Sequence, residues 1–195
     1  MFDYFNGTVA SLNPTEVTID CGGVGYHFHI SLFTYTALKE KKQAKIFAHQ
    51  VVREDALLLF GFWNEDERSV FRDLLSVSGV GAGTARIILS SLSYEEVHKV
   101  IANGDNLTLQ RVKGIGAKTA QRIIIDLQDK MKKTVSILIT PVTGEHNTFK
   151  SEALSALLTL GFARLSAEKA IQQAIRNNQS PESVEILIKN ALSYL

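Results

Sequence analysis

The chain has 195 residues, of which 45% are hydrophobic and 21% charged, and its formal net charge is +1. That balance belongs to an ordinary globular protein with room for one large domain or two to three small ones, and no apolar run reaches the roughly 18 residues that a membrane span needs. The single cysteine, Cys21, excludes an internal disulfide and suits a reducing compartment, and no Cys/His run has zinc-finger spacing.

The first residues, Met1-Phe2-Asp3-Tyr4-Phe5-Asn6, have neither a basic nor an apolar leader segment, so no signal peptide is expected and the location expected is cytoplasmic. Residues 1–62 read as strands. Thr8–Leu12 runs into the turn signal Asn13-Pro14, and Val17–Cys21 runs into Gly22-Gly23. Tyr26–Ile30 alternates at period two. Residues 44–52 and 56–62 flank Arg53-Glu54-Asp55, which reads as a hairpin turn. About five short strands in this length suggest a small closed barrel of the OB type.

At Asn64 the period changes to that of helices. Asn64 is the expected N-cap, Glu65, Asp66 and Glu67 complement the dipole, and Glu67 stands at the capping-box position. Val70, Phe71, Leu74, Leu75 and Val77 form the buried stripe. A second capping box, Ser93 with Glu96, opens another helix, a short turn or helix starts at Asn106, and a further helix is expected from about Ala117 to Lys130.

One pattern within this block occurs twice, thirty-five positions apart: LLSVSGVGAGTARIIL over residues 74–89 and LQRVKGIGAKTAQRII over residues 109–124. Gly79/Gly114, Gly81/Gly116, Thr84/Thr119 and Ala85/Ala120 are identical pairs. A Gly-apolar-Gly turn between helices sets backbone N–H groups at a helix N-terminus, which is a phosphate-binding device. One copy is most simply a tight helix–helix turn; two matched copies point to grip on a nucleic-acid backbone without sequence readout. Charge agrees, because residues 108–133 hold seven basic residues against Asp126 and Asp129. That is a local footprint of the kind phosphate contact takes. Lys118 reads as a phosphate contact. Residues 114–119 also approach a P-loop, but Ala117 and Val112 stand where its glycines belong and no strand leads in, so nucleotide binding is not expected.

Residues 134–148, with Pro141, Gly144 and Asn147, read as a linker, although the apolar patch Val135–Ile139 could pack somewhere. Residues 149–195 read as a three-helix bundle: Leu154, Leu157, Leu158 and Leu160 line the first helix, which Gly161 ends. Ser166 caps the second, and Ser180 with Pro181 opens the third. His27, His29 and His49 read as filler on a half-exposed strand face. Glu54-Asp55 reads, on the residues alone, as a polar turn.

Together these residues resemble the RuvA family of Holliday-junction-binding proteins. The resemblance rests on Gly22-Gly23-Val24-Gly25-Tyr26, on Val51-Val52-Arg53-Glu54-Asp55-Ala56, on Gly61-Phe62, on both glycine turns and on Leu160-Gly161-Phe162. It implies an α+β multidomain chain: a five-stranded OB-type barrel (1–63), an all-α tandem helix-hairpin-helix domain (64–133), the linker (134–148) and a UBA-like bundle (149–195). It implies a homotetramer, with an octamer left open, that holds a four-way junction open and square in recombination and repair. The DNA contacts would be Gly79, Gly81, Thr84, Arg86, Gly114, Gly116, Lys118, Thr119 and Arg122. Glu54 and Asp55 would become an acidic pin at the junction centre. The tail would dock the hexameric motor RuvB through Leu157, Leu160, Phe162 and Leu192, and RuvC would resolve the junction. ATP hydrolysis would belong to the motor, and neither a catalytic residue, a metal nor a cofactor is expected here. The chain departs from the family in having Asp3, Tyr4 and Asn6 where basic residues are usual, and Gly83 and Ala117 where lysine is frequent.

Two other classes compete. A helix-hairpin-helix DNA glycosylase or lyase would use Lys118 as nucleophile and Asp126 as its carboxylate. A protein-interaction scaffold would leave the glycine turns purely structural.

Overall fold

A computed structural model describes residues 2–139, 145–177 and 183–195. Five strands close a barrel: β1 (Tyr4–Asn13), β2 (Glu16–Asp20), β3 (Gly25–Ile30), β4 (Gln43–Val52) and β5 (Leu57–Phe62), in the order β1-β2-β3-β5-β4. All pairings are antiparallel except β3 with β5, which pairs His29 with Phe60 and Ile30 with Gly61 in parallel. This is the expected OB-type topology. Alternating residues fill the barrel, among them Val17, Ile19, Phe28, Ile30, Ile46 and Ala48, each at most 1% exposed.

Between β3 and β4 lies a helix that the strand-like reading of this region missed, α1 (Leu32–Leu38). Its sequence, with Phe33, Thr34, Tyr35 and Thr36, favours strand by local propensity. Ser31 overrides it by capping: its hydroxyl accepts from the Thr34 N–H at 3.1 Å.

The helical block follows: α2 (Glu65–Ser76), α3 (Ala82–Ser91), α4 (Tyr94–Ala102), α5 (Asn106–Gln110) and α6 (Ala117–Ile139). Asn64 caps α2 as expected, accepting from the Glu67 N–H at 2.8 Å, and Ser93 with Glu96 makes the full capping box of α4. Glu67 does not complete a box on α2. Its carboxylate is buried and accepts from the hydroxyls of Ser31 and Thr34, the latter at 2.7 Å. Burial pushes this carboxyl above its ordinary range, although the hydroxyls favour its ionised form. Arg68, also buried, donates to the Asp3 carboxylate at 2.6 Å and to the Glu65 carboxylate at 2.8 Å. The two side chains tie the barrel to α2, and Phe60 and Phe62 of β5 share one core with Val70, Phe71 and Leu74 of α2.

The expected linker 134–148 is helical at both ends, since α6 runs to Ile139 and α7 begins at Glu145; residues 140–144 lie outside the described residues. No glycine or proline interrupts residues 117–139, so nothing in the sequence stops α6 at Lys130.

The chain divides into two compact units, Met1–Ile137 and Leu138–Leu195. The second contains α7 (Glu145–Thr159), α8 (Arg164–Asn177) and α9 (Val184–Leu192), packed around Ala153, Leu157, Ala170, Ala174, Leu187 and Ala191. Two expected caps are corrected. Ser166 lies inside α8, which starts at Arg164, and α9 is capped by Ser183, whose hydroxyl accepts from the Ile186 N–H at 3.3 Å. Ser180 and Pro181 lie outside the described residues.

Candidate DNA interface

The two repeated segments fold to one backbone design. The Val77 N–H donates to the Leu74 carbonyl at 3.2 Å and the Val80 N–H to the Val77 carbonyl at 3.0 Å. In the second copy Val112 donates to Leu109 at 3.1 Å and Ile115 to Val112 at 3.0 Å. Gly79 and Gly114 turn the chain at φ of 90° and 88°, the left-handed region that favours glycine. The apolar residue of each turn, Val80 or Ile115, is 5% exposed and plugs into the shared core. Ala85 and Ala120, fully buried, let the helix after each turn pack closely.

The glycines therefore face outward. A Cβ built at Gly79, Gly81, Gly114 or Gly116 would meet no protein atom within 4 Å. Gly81, at φ −90°, is not held as glycine by backbone conformation either. What the bare position leaves is room for something to approach the helix start. That start is uncapped: α3 has no side-chain hydrogen bond at Gly81, whereas α1, α2, α4, α5 and α9 are capped by Ser31, Asn64, Ser93, Asp105 and Ser183. Neither α3 nor α6 has an acidic residue in its first turn. Free N–H groups at the positive end of a helix dipole suit a phosphate oxygen.

A cleft joins the first turn to the second helix. Ser78 and Gly79 line one side and Lys118, Thr119, Gln121, Arg122, Ile125 and Asp126 of α6 the other. Arg122 crosses it, donating to the Ser78 carbonyl at 3.3 Å. Asp73 and Lys130 form an ion pair between α2 and α6. The structure thus gathers Gly79, Lys118, Thr119 and Arg122 around one cleft, places Gly81 and Thr84 at the start of α3, and sets Gly114 and Gly116 at the second turn. Arg86 is directed elsewhere: it donates to the Thr15 carbonyl, in the turn between β1 and β2, at 3.0 Å. Lys113, exposed immediately before the second glycine turn, is a cation that the candidate set omitted although its position beside Gly114 marks it.

Glu54 and Asp55 project at the tip of the β4–β5 hairpin, closed by the Arg53 N–H donating to the Ala56 carbonyl at 2.8 Å. Both side chains are exposed, and Val52 and Leu57 below them are 70% and 59% exposed.

In the C-terminal unit the docking set divides. Leu157 is fully buried in the bundle core and is removed from that set, because its position on α7 faces α8 and α9. Leu160, Phe162 and Leu192 are exposed, as are Leu165 and Leu158, the latter expected to line the first helix and neither of them in the docking set. The end of α7 orients this edge. The Gly161 N–H donates to Leu158 and the Phe162 N–H to Leu157, a Schellman motif with Gly161 at φ 95°.

Lys118 is exposed in the first turn of α6. A lyase lysine works from a desolvated pocket, whereas the Lys118 side chain is exposed. No helix among the described residues is long and apolar enough to cross a membrane.

Three family models match in chain order. The RuvA N-terminal domain matches residues 1–61, a SAM-like helix-hairpin-helix tandem matches residues 71–129, and the RuvA C-terminal domain matches residues 150–195. The chain is 44% identical over 195 residues to a Flavobacterium psychrophilum protein named Holliday junction branch migration complex subunit RuvA, with the whole of both chains covered. Proteins of the same name from Christiangramia forsetii and Porphyromonas gingivalis are 45% and 44% identical, again across the full length of both.

Proposed function

The chain belongs to the RuvA family, and on that premise we propose that it binds four-way DNA junctions and delivers them to a RuvB motor for branch migration. The observation that carries the reading is the pair of hairpins with one backbone geometry, each offering outward glycines and a helix start without acidic side chains. Two such cradles joined through Arg122 can hold two points of a phosphate backbone at a fixed spacing. Contacts of this kind position DNA and read no bases.

In the proposed assembly, four copies set their hairpins on one face and the junction arms lie across it, with an octamer as the alternative. Gly79, Gly81, Gly114 and Gly116 supply N–H donors. Lys118, Arg122 and Lys113 neutralise phosphates, and Thr84 and Thr119 sit beside the helix starts. Arg86 supports the interface through its bond to the barrel turn. Glu54 and Asp55 form the pin: two carboxylates at the junction centre repel the backbones and keep the strands apart. Leu160, Phe162 and Leu192, with Leu158 and Leu165, dock the motor, which hydrolyses the ATP. RuvC acts on the same junction in the larger complex, and the setting is the cytoplasm.

The test compares binding to a four-way junction and to linear duplex of equal length at two salt concentrations. A strong junction preference, with affinity falling steeply as salt rises, is the expected result. Equal affinity for both DNAs would reduce the protein to a general backbone binder and the Glu54-Asp55 turn to a turn.

A further inference from the structure

The barrel carries a cluster that is not among the proposed junction contacts. Glu16 on β2 pairs in register with His29 on β3, and His27 lies two residues along on the same face of β3. The Glu16 Oε1 atom is 3.6 Å from His29 Nδ1 and 3.7 Å from His27 Nε2, and one ligand atom from each of the three lies within 4.8 Å of the others.

We propose that Glu16, His27 and His29 form a binding site for a divalent cation of borderline softness, such as zinc. The geometry is close to what that requires. Metal–ligand bonds of about 2.0–2.1 Å in a tetrahedral site put donor atoms roughly 3.3 Å apart. The two carboxylate–imidazole distances thus need to contract by only a few tenths of an ångström, and rotation of the exposed His27 ring closes the remaining gap. Two imidazoles and one carboxylate are a donor set suited to zinc and neighbouring transition ions rather than to magnesium or calcium.

The surroundings prepare the ligands. Asn13 donates to the other Glu16 oxygen, Oε2, at 3.4 Å, which leaves Oε1 turned toward the histidines. The His29 ring rests on the Phe60 ring at a centroid separation of 5.5 Å. Both histidines stand on a paired strand of a closed barrel, so the site is fixed by backbone register and not by a loop. Exposed His27 leaves the fourth position open to water. The Arg86 guanidinium, close enough to act on His29, opposes a cation and sets a ceiling on affinity.

Zinc titration of the tag-free, full-length protein, followed by calorimetry and by the absorption spectrum of the cobalt-substituted form, decides the matter. The expected result is one saturable site per chain and a cobalt spectrum with nitrogen and oxygen donors. His27→Gln, His29→Gln and Glu16→Gln should each weaken binding by on the order of tenfold or more, while Cys21→Ser leaves it unchanged. Circular dichroism of each variant separates ligand loss from misfolding. No saturable binding to the wild-type chain, or binding that survives in the folded His27→Gln and His29→Gln variants, would overturn the site.

Discussion

Arg122 of the second hairpin's helix donates to the backbone carbonyl of Ser78 in the first hairpin's turn, 44 positions earlier in the chain, at 3.3 Å. The bond couples the first glycine turn to the helix that follows the second, across a cleft that this turn and α6 line. Arg122→Ala should leave global stability within about 1 kcal/mol, because the bond is exposed, yet weaken junction binding by more than a single lost phosphate contact would. Urea melts together with junction titrations measure both effects. A variant that binds as Lys118→Ala does, and no worse, would show that the coupling is unimportant.

Lys118→Ala removes one exposed cation beside the second helix start. The slope of log affinity against log salt should flatten by about one unit, with weakening across all DNA sequences alike. An unchanged slope would argue against Lys118 as a phosphate contact.

The four turn glycines should separate into two classes. Alanine at Gly79 or Gly114 forces a side chain to φ near 90° and should cost on the order of 1–2 kcal/mol of stability. Alanine at Gly81 or Gly116 meets open space at an ordinary φ, so stability should move by less than about 1 kcal/mol. Junction affinity should nevertheless drop, because the new methyl stands where the phosphate approaches. Thermal melts paired with anisotropy titrations would reveal the split, and full affinity in the Gly81 and Gly116 variants would count against these turns as the cradle.

Glu67 gives a pH signature. Its carboxyl titrates above the ordinary 4.5 in the folded protein, burial being the first cause. The folded state then binds more protons than the unfolded state above that pH, so this group's contribution is fully present below about 4.5 and is lost as pH rises through the folded value. Glu67→Gln has no such loss. Its stability relative to wild type should therefore improve steadily from pH 4 upward in chemical denaturation, and parallel pH curves for the two proteins would contradict the burial argument.

In the C-terminal unit, Leu157→Ala should cost roughly 2–5 kcal/mol in that bundle, as a cavity in a small core does. Leu160→Ser and Phe162→Ser should leave the bundle folded while abolishing stimulation of the motor. Loss of helix content in the latter two, or unimpaired branch migration by them, would place the docking edge elsewhere.

Local features were legible in the sequence because their signals are local. The duplicated glycine turns, the Asn64 and Ser93 caps, the β4–β5 hairpin and the three-part order each depend on residues within a few positions of one another. The misses share a cause. Helix α1 looks like a strand because its helical state rests on Ser31 and on a contact with Glu67, 36 positions away. Glu67 looks like a capping-box acid because its true partners are on another element. Leu157 and Leu160 are indistinguishable in a leucine-rich helix until α8 and α9 choose a face.

The sequence by itself determined where the glycine turns fall, where α2 and α4 begin, and that two turns share one design, since glycine φ preferences, capping residues and hydrophobic period are properties of short segments. Only the tertiary structure decided that Arg122 ties α6 to the first turn, that Arg86 is drawn to the barrel, and that β-strand register sets Glu16 beside His27 and His29. Those outcomes follow from which elements pack together to bury apolar surface, and such long-range pairing leaves no periodic trace in one chain.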